Sequence, residues 1–179
     1  MLADPRHSRI VLINPARSES AKTSVEFAAR RRASISLVSD AFRIFGVSTL
    51  AVGDHDLTLG TETMADAVTR LDIDGLSLWR RNRAVLESLS ASDVGVVFLG
   101  GVWLEEEIFI AALEGARLGY DVRLLVDVSV ARLEGDSALV LNRMALHGVL
   151  STTVRQALLE WAACLDDAVL TATVQGLLS

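Results

Sequence analysis

Three consecutive carboxylates, Glu105–Glu107, are the side chains in this 179-residue chain whose placement first suggests chemistry. They follow an apolar segment, Val94–Leu99, which predicts a buried strand. The pair Gly100–Gly101 lies between the two and predicts a turn. The apolar residues after Glu107 have the spacing of a helix face, which predicts a helix. In α/β proteins the turn that follows such a strand is where ligands and nucleophiles lie. The run is therefore a candidate functional site.

A purely structural explanation of the same run stays open. Carboxylates in the first turn of a helix are favoured by the helix dipole by roughly 0.3–1 kcal/mol each. The alternative is that Glu107 faces a pocket. There it would bind a cation, pair with an arginine such as Arg80 or Arg81, or act as an acid/base group.

Asp54 and His55 are the only residues that suggest a metal site. They follow a predicted strand, Ser48–Val52, at its carboxyl end, where the ligands of a site would lie. No second histidine follows in the loop, and a solvated turn explains the pair as well. The sequence therefore predicts no metal and no cofactor, with Asp54 and His55 as the weak exception.

Cys164 is the single cysteine of the chain. It excludes an internal disulfide and is typical of a reducing cytoplasm, where we expect the protein to be. The apolar residues on either side of Cys164 in the sequence have the spacing of a helix. No histidine is nearby in the sequence, and no predicted strand and turn precede it. The sequence predicts a small buried apolar side chain rather than a nucleophile.

Apolar runs alternate with amphipathic stretches along the chain, which predicts about six mostly parallel strands between two layers of helices. The predicted strands are Ile10–Ile13, Ser48–Val52, Val94–Leu99, Val122–Val126 and Val149–Leu150. The predicted helices are Ala33–Phe45, a short one near Ala65–Arg70, Leu78–Leu89, the one after Gly101, Leu139–Leu146, one from the N-cap Thr153 through Cys164, and Ala168–Leu178.

Composition limits the function classes. The net charge of −6 and pI near 5.0 argue against nucleic-acid binding. The cluster Arg30–Arg32 is predicted to be a solvated helix end, with an anion-binding patch as the alternative. The mean hydropathy is +0.39, yet no run reaches the roughly 20 apolar residues that span a bilayer. We expect a single domain over residues 1–179, with the tail 165–179 packed on the domain or at a subunit interface, and a homo-oligomer.

The order of motifs resembles that of the isochorismatase-like cysteine hydrolases, which include nicotinamidase and N-carbamoylsarcosine amidase. In that family a glycine, a threonine and an acidic residue precede the nucleophilic cysteine; the matching positions here are Gly101, Leu104, Glu105 and Glu107. The resemblance extends over about residues 10–161. Its other stretches are Ala111–Ala112, Gly119–Val122, Asp127, Arg143–Gly148 and Ser151–Trp161. It implies a three-layer α/β/α fold that is Rossmann-like, with a six-stranded, mostly parallel sheet.

The resemblance also implies where the other catalytic positions fall. The family aspartate that ends the first strand corresponds to Asn14 here. The family lysine falls near Ile73, and the nearest cations are Arg80 and Arg81. Asparagine cannot act as a base at neutral pH, and arginine stays protonated. A cysteine attacks a carbonyl only when a base takes its proton, so the resemblance predicts that the thiol mechanism is lost.

Two large apolar residues occupy the turn itself. In the family this loop helps to form the oxyanion hole, often with a non-proline cis peptide just before the threonine. Here Trp103 and Leu104 stand in the loop, and they would fill space. We predict that the pocket is partly closed by Trp103 and, from the neighbouring segment, by Trp79.

Three functions stay open at this point. The first is a binding or scaffold homologue of the hydrolases, without cysteine-hydrolase activity. The second is a small-molecule hydrolase or isomerase that uses Glu107 as acid/base with Asn14 as its hydrogen-bonding partner. The third is a metal-dependent hydrolase built on Asp54 and His55. A small-molecule ligand is the expected partner in each.

Overall fold

The sheet is the frame that positions the candidate site. The computed structural model describes residues 2–17, 24–54, 68–79, 85, 89 and 93–179. Six strands in this part of the chain form one sheet in which every pairing is parallel. They are β1 (Ser8–Ile13), β2 (Thr49–Val52), β3 (Val68–Leu71), β4 (Val96–Gly101), β5 (Asp121–Leu125) and β6 (Leu150–Thr152). Their order is β3-β2-β1-β4-β5-β6, so the predicted α/β class is confirmed.

Helices cover both faces of the sheet because successive strand residues point to opposite sides. In β1, Val11 and Ile13 belong to one apolar cluster, and Ile10 and Leu12 belong to another. Five helices are described, and none is long and apolar enough to cross a membrane. They are α1 (Val25–Phe45), α2 (Phe109–Arg117), α3 (Ser137–Leu146), α4 (Val154–Leu165) and α5 (Ala168–Leu178).

Local capping explains where two of these helices begin. Thr153 and Gln156 form the predicted capping box at the start of α4, in which each side chain bonds the backbone of the other. Helix α1 begins eight residues before its predicted start at Ala33. Ser24 Oγ accepts the backbone N–H of Phe27 at 3.1 Å, and this bond satisfies a donor at the new start.

The predicted short helix near Ala65–Arg70 is wrong for its described part. Residues 68–71 form the edge strand β3, which pairs with β2 from Thr49 to Val52. The β-branched pair Val68 and Thr69 suits a strand, and Val68 is buried against the sheet. Residues 65–67 lie outside the described part of the chain.

Two predictions about single side chains are also wrong. Arg31 is buried inside the molecule, whereas its neighbours Arg30 and Arg32 are exposed, so the cluster is not simply a solvated helix end. Cys164 is half-buried rather than buried, near the end of α4.

The predicted helices Leu78–Leu89 and Ala168–Leu178 are described to different extents. Leu78, Val85 and Leu89 are buried as their spacing predicted, although most of that predicted helix lies outside the described residues. The tail forms α5, which packs on the domain through Val174 and Leu178.

Candidate functional site

The candidate site lies where the strand order reverses. Chain order runs from β1 outward to β3 on one side and from β4 outward to β6 on the other. Ligands of open α/β sheets bind at this switch point, beyond the carboxyl ends of the strands. Asn14 follows β1 directly, and Glu107 lies on the single helical turn Leu104–Ile108 after β4. Residues 93 positions apart in sequence therefore meet at one edge.

Asn14, Arg17 and Glu107 form a polar cluster at this edge. Asn14 Nδ2 donates to Glu107 Oε1 at 3.2 Å. Arg17 Nη1 donates to Glu107 Oε1 at 3.1 Å and approaches Oε2 at 3.4 Å. The Glu107 side chain is 13% exposed and that of Arg17 is 32% exposed. The cluster is therefore a partly buried ion pair with an amide as its third member.

The Asn14 amide is held by a backbone N–H at its oxygen and by the Glu107 side chain at its nitrogen. The φ of Asn14 is +47°, a left-handed conformation that asparagine adopts more readily than most residues. Its Oδ1 accepts the backbone N–H of Asp54 at 3.0 Å. Gly53 leaves room for this contact, because a Cβ there would lie 2.2 Å from Asn14 Oδ1. The amide orientation is thus fixed, and Nδ2 must point toward Glu107.

The turn after β4 is packed directly on the end of β1. Gly101 has φ +133°, and Val102 N–H donates to the carbonyl of Ile13 at 2.9 Å. The Val102–Trp103 peptide is cis, matching the cis peptide that the resemblance implied just before position 104. Leu104 N–H then bonds the carbonyl of Val130 at 2.8 Å. Backbone hydrogen bonds to β1 and to the loop after β5 therefore fix the turn, and Glu107 follows it.

The three glutamates have three different environments. Glu105 accepts the backbone N–H groups of Arg132 and Leu133 at 2.8 and 2.9 Å. Glu106 forms an ion pair with Arg132, with 3.0 Å between Oε1 and Nε. Glu107 alone turns toward Asn14. The helix dipole is therefore an incomplete explanation of the run, because each carboxylate has a specific partner.

Trp103 and Leu104 are both buried, at 8% and 5% exposure. Trp103 packs with Val130 and Phe27, and the Arg132 guanidinium lies 5.2 Å from the centroid of its ring. These contacts bury the Trp103 ring, and closure of a pocket by Trp103 and Leu104 stays a prediction.

Trp79 has a different setting. Its indole N–H donates to the carbonyl of Ala111 at 2.7 Å, and its ring stacks on Tyr120. It also packs directly over Gly115 of α2. These contacts make Trp79 part of the core under α2 rather than a wall of the Asn14–Glu107 cluster.

The predicted cations do not supply the partner of Glu107. Arg80 and Arg81 lie outside the described residues, and the arginine that contacts Glu107 is Arg17. Sequence reasoning missed Arg17 because it follows the first strand, far from the lysine position. One signal was present: Arg17 lies three positions after Asn14, in a loop at the predicted site edge.

The metal candidates gain no support from the described residues. Asp54 is exposed, and its described bond to the site is made by its backbone N–H rather than by its carboxylate. His55 lies outside the described residues. Within the part of the chain that the structure describes, no three potential metal ligands are grouped together.

We expect Asn14→Asp to make the stability strongly pH-dependent. The substitution replaces the Nδ2 donor by a second carboxylate oxygen at about the same 3.2 Å from Glu107. Two carboxylates this close favour a shared proton, so the folded pair binds a proton more readily than the unfolded chain. Stability is then retained at low pH and lost as pH rises. The expected cost near pH 7 is about 1–3 kcal/mol in urea unfolding.

The double variant Asn14→Asp/Glu107→Gln is the matched control. It restores one amide and one carboxylate, so most of the added pH dependence should disappear. An equal penalty at pH 4 and pH 7 in the single variant would show that the two side chains do not meet as described.

Comparisons with known proteins identify the fold. No protein-family profile matches the chain, and no curated protein matches it. Among solved structures, YcaC from Pseudomonas aeruginosa, with hexane-2,5-diol and covalent acrylamide, is 14% identical with a TM-score of 0.75, covering 98% of this chain and 90% of its own. YcaC from Escherichia coli, described as an octameric hydrolase of unknown specificity, is 16% identical with a TM-score of 0.75, covering 97% and 89%. An isochorismatase family protein from Desulfovibrio vulgaris is 19% identical with a TM-score of 0.65, covering 92% and 98%. The chain has the fold of the isochorismatase-like hydrolases.

Proposed function

We propose that this protein is a homologue of the isochorismatase-like hydrolases that has no thiol-dependent hydrolase activity and acts as a small-molecule-binding or scaffold protein. The observation that carries the proposal is the state of Glu107. This residue takes the position that resembles the nucleophilic cysteine, and its carboxylate is bonded to Arg17 at 3.1 Å and to Asn14 at 3.2 Å. In this state the Glu107 carboxylate is bound by side chains of the protein itself.

The chemistry of the three side chains supports this conclusion. A carboxylate is a much weaker nucleophile toward an amide carbon than a thiolate. Asn14 cannot take a proton at neutral pH, and Arg17 stays protonated and cannot transfer one. The cluster can bind, orient and neutralise charge, but it lacks the proton transfers that acyl transfer requires.

The turn supports the same conclusion from its shape. Trp103 and Leu104 occupy positions that resemble the oxyanion loop of the family, and each is buried in an apolar cluster of its own. A tetrahedral intermediate needs hydrogen-bond donors aimed at its oxygen. The N–H of Leu104 instead donates to the carbonyl of Val130 at 2.8 Å, so this donor is already used.

A second candidate is a small-molecule hydrolase or isomerase with Glu107 as acid/base. The observation that favours it is the exposure of Arg17, which at 32% gives the cluster a side open to solvent. A small polar ligand that takes over the Arg17 contact would release the Glu107 carboxylate for proton transfer.

Hydrolysis of primary amides, including nicotinamide, tests the proposal by the release of ammonia. We expect no release above background from the wild type, from Glu107→Gln or from Cys164→Ser, the variant that removes the only thiol. Small polar metabolites that raise the Tm of the wild type would then identify the ligand class.

Two outcomes would overturn the proposal. Ammonia release that Glu107→Gln abolishes would assign Glu107 as an acid/base group. Release that survives this change and is lost on chelation would point to Asp54, His55 and a metal instead.

Self-association belongs to the proposed scaffold role. The E. coli YcaC structure is described as octameric. In this chain Leu139 and Leu146 are 61% and 85% exposed on α3, and Leu150 is 55% exposed on the edge strand β6. Exposed apolar side chains on one helix and the adjacent strand suit contact with a second copy. The single cysteine suits the reducing cytoplasm in which we place the protein.

A further inference from the structure

Arg31 is a buried cation that contacts two loops at the site edge. It lies on the second turn of α1 and is 6% exposed. Its Nη2 donates to the carbonyl of Pro15 and its Nε to the carbonyl of Val128, both at 3.2 Å. Burying a guanidinium is costly unless hydrogen bonds compensate for the lost water. The two hydrogen bonds therefore hold the Arg31 side chain in place and tie the carbonyls of Pro15 and Val128 to each other through it.

The two carbonyls belong to loops on opposite sides of β4. Pro15 follows Asn14 in the loop after β1, and Val128 lies in the loop after β5. In the sheet, β4 is the strand between β1 and β5. The Arg31 guanidinium therefore reaches across the carboxyl end of β4, where the turn to Glu107 begins.

The loop after β5 in turn holds that turn in place. Val130 N–H donates to the carbonyl of Gly101 at 2.8 Å, and Leu104 N–H donates to the carbonyl of Val130 at 2.8 Å. The Val128 side chain packs on Gly100, where a Cβ would lie 2.6 Å from Val128 Cγ2. A shift of this loop would therefore move the turn and the helical segment that carries Glu107.

We infer that Arg31 is a positioning residue for the Asn14–Glu107 cluster. By holding the loops after β1 and β5 at a fixed separation, it sets the distance between the two side chains. It acts through the carbonyls of Pro15 and Val128. This role of Arg31 is the same whether the cluster binds a ligand or catalyses a reaction.

Hydrogen exchange of the whole protein, followed by mass spectrometry, tests the inference. Arg31→Met should speed exchange in peptides that span residues 98–108 and 126–134 more than in peptides from β2 or α4. Arg123→Met is the matched control. Arg123 is an equally buried arginine on β5, paired with Asp121 and Glu160. We expect Arg123→Met to speed exchange in the peptides 98–108 and 126–134 no more than in peptides from the rest of the chain.

Arg31→Lys distinguishes the effect of the positive charge from the effect of bonding both carbonyls. A lysine keeps the cation but donates from one nitrogen, so it cannot hold both carbonyls with a planar fork. We expect it to restore overall stability in part and to leave exchange in the site peptides faster than in the wild type. If Arg31→Met does not fold, Arg31→Lys and Arg123→Lys carry the same comparison. Exchange that rises uniformly across the chain, or equally in the Arg123 variants, would overturn the inference.

Discussion

Gly101→Ala is expected to cost about 4 kcal/mol or more of the free energy of unfolding, a large fraction of the roughly 5–15 kcal/mol of a typical domain. A Cβ at this position would lie 1.9 Å from the carbonyl oxygen of Ile13 and 2.8 Å from its carbon. The contact is with backbone, so no side-chain rotation can relieve it. The φ of +133° is also one that side-chain-bearing residues rarely adopt.

Gly95→Ala is the matched control for this substitution. Gly95 lies just before β4, has no atom within 4 Å of its would-be Cβ, and is exposed. We expect its free energy of unfolding to stay within about 0.5 kcal/mol of the wild type. Urea unfolding followed by circular dichroism measures both variants. Equal stabilities for the two would contradict the close packing of the β4 turn on β1.

Trp161→Ala is expected to cost about 3–5 kcal/mol, the range for deleting a large buried aromatic side chain. Trp161 is 1% exposed on α4. Its ring makes edge-on contacts with Phe98 of β4 and Phe45 of α1, at centroid distances of 5.1 and 5.7 Å. It therefore joins two helices to the central strand, and its loss leaves a cavity that these elements cannot fill together.

Trp161→Phe separates packing from hydrogen bonding. The Trp161 indole N–H is buried and has no hydrogen-bond partner among the described residues. Phenylalanine keeps most of the aromatic contact and removes this unsatisfied donor, so we expect a cost of about 1.5 kcal/mol or less. If Trp161→Phe were as destabilising as Trp161→Ala in thermal unfolding, a hidden partner of the indole would be the explanation.

The parts of the fold that could be predicted from the sequence are those set by local patterns. The strands around Ile10–Ile13 and Val94–Leu99 are apolar on both faces, as central parallel strands are. The capping box at Thr153 is a signal of two residues three apart. Because Asn14 and Glu107 follow central strands, their meeting at one edge follows from the parallel topology alone.

The parts that could not be predicted depend on partners distant in sequence. Nothing local distinguishes Arg31 from Arg30 and Arg32, since which of the three faces inward depends on where α1 begins. Arg17 meets Glu107 across 90 residues. The edge strand β3 has only four residues. So short a segment does not show the alternation of apolar and polar residues that would predict a strand.

A double-mutant cycle measures the coupling energy between the side chains of Arg17 and Glu107. The proposed function requires that the Glu107 carboxylate is bound by this arginine of the same chain. Free energies of unfolding are measured for the wild type, Arg17→Met, Glu107→Gln and the double variant. For a partly buried pair 3.1 Å apart, we predict a favourable coupling energy of about 1 kcal/mol. Additive effects, with a coupling within about 0.3 kcal/mol of zero, would contradict a stabilising ion pair between the two side chains and remove the main support for the proposed function.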